Sequence, residues 1–166
     1  MALTAAQVIA ALDLKPLPRE GGLFRETYRS AELLPAAALP RYGRAKSAGT
    51  AIYYLLTPDT FSALHRLPTD EIFHFYLGDP VQMLQLPPGG PGRVLTLGGD
   101  LLAGQQPQVV VPRGVWQGSC LAPGGAFALL GTTMAPGFDF ADYEAGDREA
   151  LAAQYPEFAE LIRRLT

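Results

Sequence analysis

The chain has 166 residues, of which 48% are hydrophobic and 17% charged, and this composition is typical of a globular protein that buries one core. Its formal net charge is −3, with acidic and basic residues interspersed, so we expect no nucleic-acid partner and no attraction to an anionic membrane. The sole cysteine, Cys120, excludes an internal disulfide and any metal site built from several cysteines.

The amino terminus lacks the basic region and the apolar core of a signal peptide. No run reaches the roughly 18 apolar residues that a membrane helix needs. We therefore expect a cytoplasmic protein that does not enter a membrane. We predict one domain over residues 1–166, divided into an amino-terminal helix and arm (1–48), a β-rich body (about 49–135) and a helical tail (136–166).

The amino-terminal part begins with a helix signal. Thr4 and Gln7 have the spacing of a capping box, and apolar residues recur on one face after them, which predicts a helix over residues 4–13. Residues 18–30 mix glycine, aromatic and charged residues and suit an extended arm or an edge strand. Residues 31–47 are rich in alanine, proline and arginine and are predicted to be a loop.

From Thr50 onward the chain is a series of short β-rich runs separated by turn signals of proline, glycine and aspartate. Regularly spaced short strands predict a sandwich or a barrel rather than βαβ units. After them, residues 147–165 return to helical spacing, interrupted at Pro156. The predicted strands are residues 50–57, 61–67, 71–78, 81–86, 108–114, 115–121 and 127–134.

Two of these segments carry a resemblance. The stretch from His65 through Glu71 to Gly78 resembles the first cupin motif, H-x-H-x(3,4)-E-x(6)-G, and Pro112–Gln117 resembles the P-x-G-x-x-H core of the second. Wider segments between about residues 20 and 144 resemble one cupin family, DUF985 (cupin-5). The resemblance implies an all-β fold, the double-stranded β-helix or cupin jelly-roll barrel, with short terminal α-helices and a homodimeric assembly.

The resemblance also bears on metal binding. Many cupins hold a metal through two histidines and a glutamate of the first motif and a histidine of the second. Only His65 and Glu71 of that set occur here, because Leu67 and Gln117 occupy the other two positions. Gln106 also replaces the glycine that opens the second motif. We therefore expect no cofactor, with a divalent metal on His65, Glu71 and Gln117 as the alternative.

Strand alternation predicts which side chains share the barrel interior. Successive side chains point to opposite faces, so His65, Glu71 and Gln117 are expected to converge inside, while His74 falls on the other face. Placed polar groups among apolar walls are typical of a ligand pocket. The predicted substrate-binding residues are Gln117, Phe73, Phe75, Phe61, Ser119, Arg25, Glu26 and Tyr28. The last three lie on the arm, for which a surface salt-bridged strand is the alternative.

The function predicted from these residues is proton transfer on a small-molecule ligand. A histidine paired with a buried carboxylate is oriented and made more basic, which suits it to abstract a proton next to a carbonyl. Some metal-free cupins are sugar-nucleotide epimerases that use a pocket histidine in this way. We predict an isomerase or epimerase acting on a sugar or sugar nucleotide, with His65 as base, Glu71 as its orienting partner and Gln117 as a donor to the substrate. The alternatives are a non-catalytic binding or sensor module and a metal-dependent cupin enzyme.

Overall fold

The computed structural model describes residues 3–166. Over this range the chain forms thirteen strands: β1 (Lys15–Pro16), β2 (Leu23–Arg29), β3 (Leu33–Leu34), β4 (Lys46–Ser47), β5 (Thr50–Leu56), β6 (Phe61–Arg66), β7 (Glu71–Gly78), β8 (Val81–Leu86), β9 (Arg93–Leu97), β10 (Gln108–Val111), β11 (Trp116–Leu121), β12 (Ala128–Met134) and β13 (Glu144–Ala145). The α-helices are α1 (Ala5–Leu12), α2 (Arg148–Gln154) and α3 (Ala159–Arg164), and short 3₁₀ helices cover Ala36–Ala38, Phe140–Asp142 and Pro156–Phe158.

Two antiparallel sheets form the barrel. The six-stranded sheet has the order β1-β2-β5-β12-β7-β10, the five-stranded sheet has the order β13-β6-β11-β8-β9, and β3 and β4 form a separate ribbon. This architecture confirms the predicted jelly roll with short terminal helices. The arm and the tail also take part in it, because β2 pairs with β5 and β13 pairs with β6.

The terminal helices pack on the outside of the two sheets. Helix α1 begins at the predicted capping box, in which the Gln7 amide donates to Thr4 Oγ1 and the Thr4 amide donates to Gln7 Oε1. It covers the six-stranded sheet through Val8, whereas α2 and α3 cover the five-stranded sheet through Leu151 and Ile162. In the described part of the chain, no helix has the length and apolar character required to cross a membrane.

The barrel interior holds the main core, to which both sheets contribute. Tyr54, Phe73 and Leu130 come from the six-stranded sheet, and Met83 and Leu121 come from the five-stranded sheet. Each is at least 96% buried, and burying one such side chain contributes about 1.5–3 kcal/mol. This apolar interior is the low-polarity surrounding in which the candidate site lies.

A β-bulge in β6 changes which of its residues face inward. Gln117 of β11 pairs with His65, but Ser119 pairs with Ser62, so three steps along β6 oppose two steps along β11. His65 and Ser62 therefore share the inner face. The prediction that Phe61 shares that face is wrong, and its side chain is 36% exposed.

A second bulge, in β2, determines which residues of the arm face the barrel interior. Glu26 pairs with Ile52 and Tyr28 pairs with the adjacent residue of β5, which leaves one extra residue in β2. Glu26 and Arg29 face the barrel interior. The prediction that Arg25 and Tyr28 line the pocket is wrong: the Arg25 guanidinium lies 5.5 Å from the centre of the Tyr53 ring on the outer face, and Tyr28 is 57% exposed.

Gly118 lies opposite the β6 bulge and permits it. A Cβ atom on Gly118 would lie 2.9 Å from the carbonyl oxygen of Ser62 and 3.1 Å from the amide nitrogen of Leu64, both of which belong to the backbone. We expect Gly118→Ala to lower the free energy of unfolding by about 1–3 kcal/mol, measured by urea denaturation. Gly90→Ala, where the added Cβ makes an ordinary contact at 3.5 Å, is the matched control. Equal stability of the two variants would contradict this account of the bulge.

Candidate functional site

A cavity of about 310 Å³ lies inside the barrel between the amino-terminal arm and the segment that follows β12. Glu20 and Glu71 lie at its inner end, whereas Glu26, Arg29 and Asp139 lie nearer to solvent. The apolar part of its wall consists of Leu17, Phe24, Ile52, Met134, Phe138 and Phe140. A ligand-sized cavity with apolar walls and a few polar groups is the usual form of a small-molecule site.

Gln117 joins the two motif residues that the sequence singled out. Its Nε2 atom lies 3.0 Å from His65 Nε2 and 3.2 Å from Glu71 Oε2. His65 Nδ1 lies 2.7 Å from the carbonyl oxygen of Ala63, so that nitrogen carries the proton and Nε2 accepts from the Gln117 amide. The structure thus brings His65, Glu71 and Gln117 together in the barrel. Of the three, only Glu71 lines the main cavity, with His65 and Gln117 behind it.

Glu20 is a member of this site that the sequence analysis did not single out. Its Oε1 atom accepts from Ser62 Oγ at 2.9 Å, and its Oε2 atom lies 3.9 Å from His65 Nε2. The backbone holds it there, because the Ala63 amide donates to the Glu20 carbonyl at 2.7 Å. The following Gly21 has a φ of 89°, and a Cβ atom there would lie 2.4 Å from a backbone oxygen of β6. The Gly-Gly pair of the sequence signals this tight turn, but not the strand against which the turn packs.

Glu71 holds a proton at neutral pH. Burial, and second the negative charge of Glu20, raise the pKa of Glu71 from 4.5 to about 8, while hydrogen bonds from Thr132 and Gln117 act in the opposite direction. The inner end of the cavity therefore combines a protonated carboxyl group with a second carboxyl side chain. Carboxyl groups held in different protonation states are suited to act as acid and base.

The segment of residues 138–145, here called the strap, closes one side of the cavity. Phe138 and Phe140 of the strap line the cavity, and the Tyr143 ring stacks on His65 with the ring centres 4.8 Å apart. Burial, and second the charge of Glu20, raise the pKa of Tyr143 to about 12, so its hydroxyl stays protonated. The stacked ring covers the face of His65 and fixes the plane of the imidazole.

Buried ion pairs hold the strap in place. Asp142 pairs with both Arg44 and Lys46, and the side chains of Asp142 and Lys46 are only 4% and 2% exposed. Arg66 makes two hydrogen bonds of 2.7 Å to Glu144, which is more exposed. The charge network thus joins Arg44 and Lys46, which lie just before β4 and in it, to the strap that carries Phe138, Phe140 and Tyr143.

The remaining predicted site residues lie elsewhere. Phe73 and Phe75 point into the barrel but pack in its core, so the aromatic wall of the cavity comes from Phe24 and the strap instead. Ser119 is buried, and its Oγ atom has no hydrogen-bond partner within residues 3–166. His74 lies on the outer face, as alternation predicts, with Nε2 3.0 Å from the hydroxyl of Thr133.

The two facing sheets, with His65 and Glu71 buried between them, agree with the cupin-type barrel that the motifs predicted. The chain belongs to Cupin_5 (DUF985), a family of the cupin superfamily, and the model of this family matches residues 6–146. It is 33% identical over 134 residues to the uncharacterized protein YML079W of Saccharomyces cerevisiae, an alignment that covers 75% of this chain and 67% of the yeast protein.

Solved structures agree with this assignment. Protein SO0799 of Shewanella oneidensis has a TM-score of 0.87 and 33% identity, with 99% of this chain and 98% of that chain covered. A hypothetical protein from Leishmania major has a TM-score of 0.88 and 31% identity, with 99% of both chains covered. Oxalate decarboxylase of Bacillus subtilis, a protein with Mn(II) centres, is 16% identical with a TM-score of 0.54 over 93% of this chain and 38% of that chain, and this similarity extends to the fold alone.

The residues present do not fit the metal that many cupins carry. Of the four cupin ligand positions only His65 and Glu71 keep a usual ligand, and Gln117 directs its Nε2 atom at both of them. Within residues 3–166, no cluster of three or more histidine, cysteine, aspartate or glutamate side chains has a metal-binding arrangement.

The raised pKa of Glu71 predicts a distinctive dependence of stability on pH. Because the pKa is 4.5 unfolded and about 8 folded, folding takes up a proton between these values, and the free energy of unfolding falls as the pH rises from about 5 to 8. Glu71→Gln cannot titrate, so we expect it to lose this decline and to be more stable than the wild type at pH 8, by an amount on the order of 4 kcal/mol.

Urea denaturation at several pH values measures this difference. Glu157→Gln, at an exposed position on the carboxyl-terminal side of the chain, is the control and should follow the wild type. Parallel stability curves for the wild type and Glu71→Gln would show that Glu71 does not hold a proton in the folded state.

Proposed function

We propose that the protein binds a small polar carbonyl compound, of the size of a simple sugar, in the barrel cavity and catalyses an isomerisation or epimerisation by proton transfer. The observation that carries this proposal is the pair of carboxyl side chains, Glu20 and Glu71, at the inner end of a ligand-sized cavity. Glu71 holds a proton at neutral pH, and Glu20 contributes the negative charge that helps to keep it there. Such a pair supplies both an acid and a base.

The roles of the two carboxyl groups follow from their surroundings. In the proposed reaction, Glu20 removes the proton from the carbon next to the carbonyl, and the electron pair of that C–H bond forms a carbon–carbon double bond. The carbonyl oxygen takes the proton of Glu71, which gives a neutral enol. Return of one proton to carbon and the other to Glu71 then restores a carbonyl compound, either epimerised at that carbon or isomerised.

His65 takes a different role from the one the sequence suggested. Its Nε2 atom accepts from Gln117, and its ring is covered by Tyr143, so it is less suited than Glu20 to receive a proton from a ligand in the cavity. In this proposal His65 and Gln117 are positioning residues. Gln117 holds Glu71 through its amide, and His65 fixes the orientation of that amide.

The size and the charges of the cavity favour a sugar over a sugar nucleotide. A volume of about 310 Å³ is near the lower end of the range for ligand sites, roughly 300–1,000 Å³. Arg29 is the one guanidinium that lines the cavity within residues 3–166, and it already makes hydrogen bonds of 2.9 and 2.7 Å to Glu26. A diphosphate group inside the cavity would therefore lack a free cationic partner.

Deuterium exchange tests the proposed function directly. The purified protein is incubated in D₂O with a panel of aldoses and ketoses, and loss of the proton next to the carbonyl is followed by ¹H NMR. We expect the wild type to catalyse exchange on at least one sugar and Glu20→Gln to slow it by about 100-fold or more, because the general base is lost. Glu157→Gln is expected to retain the wild-type rate.

Two results would contradict the proposal. Exchange at the wild-type rate in Glu20→Gln would place the base at another residue. Saturable binding of sugars to the wild type without any exchange would instead identify a non-catalytic binding module. A parallel measurement of binding by NMR titration separates the loss of catalysis from the loss of the ligand.

A further inference from the structure

The cavity is lined by more acidic than basic side chains. Its lining includes four carboxyl side chains and one guanidinium, that of Arg29. This guanidinium is fully engaged, because it makes two hydrogen bonds to Glu26 and a third, of 3.2 Å, to the carbonyl oxygen of Phe138. Within residues 3–166, no cationic side chain of the lining is therefore free to pair with an anion, whereas the carboxyl side chains of Glu20 and Glu71 face the cavity.

Glu20 is the least compensated of these carboxylates. Its side chain is only 12% exposed, and within residues 3–166 no lysine or arginine nitrogen lies within 4.0 Å of it. The nearest basic atom, His65 Nε2 at 3.9 Å, accepts a hydrogen bond from Gln117 and carries no proton in this arrangement. Burying a charge without an oppositely charged partner raises the free energy of the folded protein. A cation in the cavity would therefore offset this cost in addition to making a new contact.

The aromatic residues of the cavity supply a second, independent feature. Phe138 and Phe140 are packed edge to face with their centres 5.0 Å apart, and Phe24 contributes a third ring to the lining. The face of an aromatic ring attracts a cation, and the attraction increases when the cation is removed from water. The Glu20 carboxylate together with aromatic rings in a largely apolar cavity is therefore complementary to an organic cation.

We propose that the substrates of this cavity carry a positive charge, as a protonated amine that pairs with Glu20 while the rest of the molecule packs against the aromatic rings. This inference rests on the proposed function, since it names the substrate class of the same site. We place the amine on the carbon atom that loses its proton in the reaction described above. In that position the Glu20 carboxylate contacts both the ammonium group and the C–H group from which it removes the proton. The substrate class is a small α-amino carbonyl compound, of which a 2-amino sugar is an example.

Matched pairs of charged and neutral probes test this inference on the whole chain. The pairs are glucosamine and glucose, choline and 3,3-dimethyl-1-butanol, and benzylamine and benzyl alcohol, with dissociation constants measured by NMR titration at pH 7. We expect the charged member of at least one pair to bind about tenfold more tightly than its neutral partner. The preference should weaken in Glu20→Gln, which removes the charge but keeps an oxygen that accepts from Ser62, and should persist in the control Glu157→Gln.

The inference is overturned if neutral probes bind as tightly as charged ones, if Glu20→Gln keeps the preference, or if no charged probe binds up to about 20 mM. Thermal melting establishes that Glu20→Gln is folded. The deuterium-exchange experiment, with glucosamine added to its panel, separates the two proposals. Preference for amines without exchange would support the substrate class and contradict the catalytic role, whereas exchange on neutral sugars without that preference would do the reverse.

Discussion

The carboxyl groups of Glu20 and Glu71 share the inner end of a cavity whose walls are largely apolar. Two negative charges are costly in such surroundings, so the burial of Glu71 and, second, the charge of Glu20 keep a proton on Glu71. Much of the surrounding structure can be understood from this constraint. The Gln117 amide contacts Glu71, the Ser62 hydroxyl contacts Glu20, and both are held by strands whose register brings them to the inner face.

Periodicity and turn signals predicted β5 to β8 and β10 to β12 closely, because the side chains of these strands alternate between an apolar core and a covered outer face. They missed β9, which pairs with β8 at the edge of the five-stranded sheet. The inward direction of Glu71 and Gln117 followed from the same alternation. The rule failed where a bulge adds a residue. Simple alternation placed Phe61 in the interior, but the structure has Ser62 there. The bulge in β6 could not be predicted from the local sequence, because it depends on pairing with the backbone of β11, which is remote in sequence.

The residues that the sequence did not reveal are those placed by long-range contacts. Glu20 reaches the site because its carbonyl oxygen accepts from the Ala63 amide, a contact that no local pattern encodes. Tyr143 reaches His65 because buried ion pairs of Asp142 hold the strap across the barrel. The cupin resemblance identified His65 and Glu71, but the chemistry of the site depends on a carboxyl group outside both motifs.

The central claim is that Glu71 is protonated at neutral pH because it is buried and, second, because Glu20 is charged beside it. Titration of the glutamate side-chain carboxyl carbons by ¹³C NMR, with the Glu71 signal assigned from Glu71→Gln, measures this most directly. The account predicts a midpoint for Glu71 near 8 in the wild type and a lower midpoint in Glu20→Gln. A wild-type midpoint near 4.5, or one that does not change in Glu20→Gln, would contradict it.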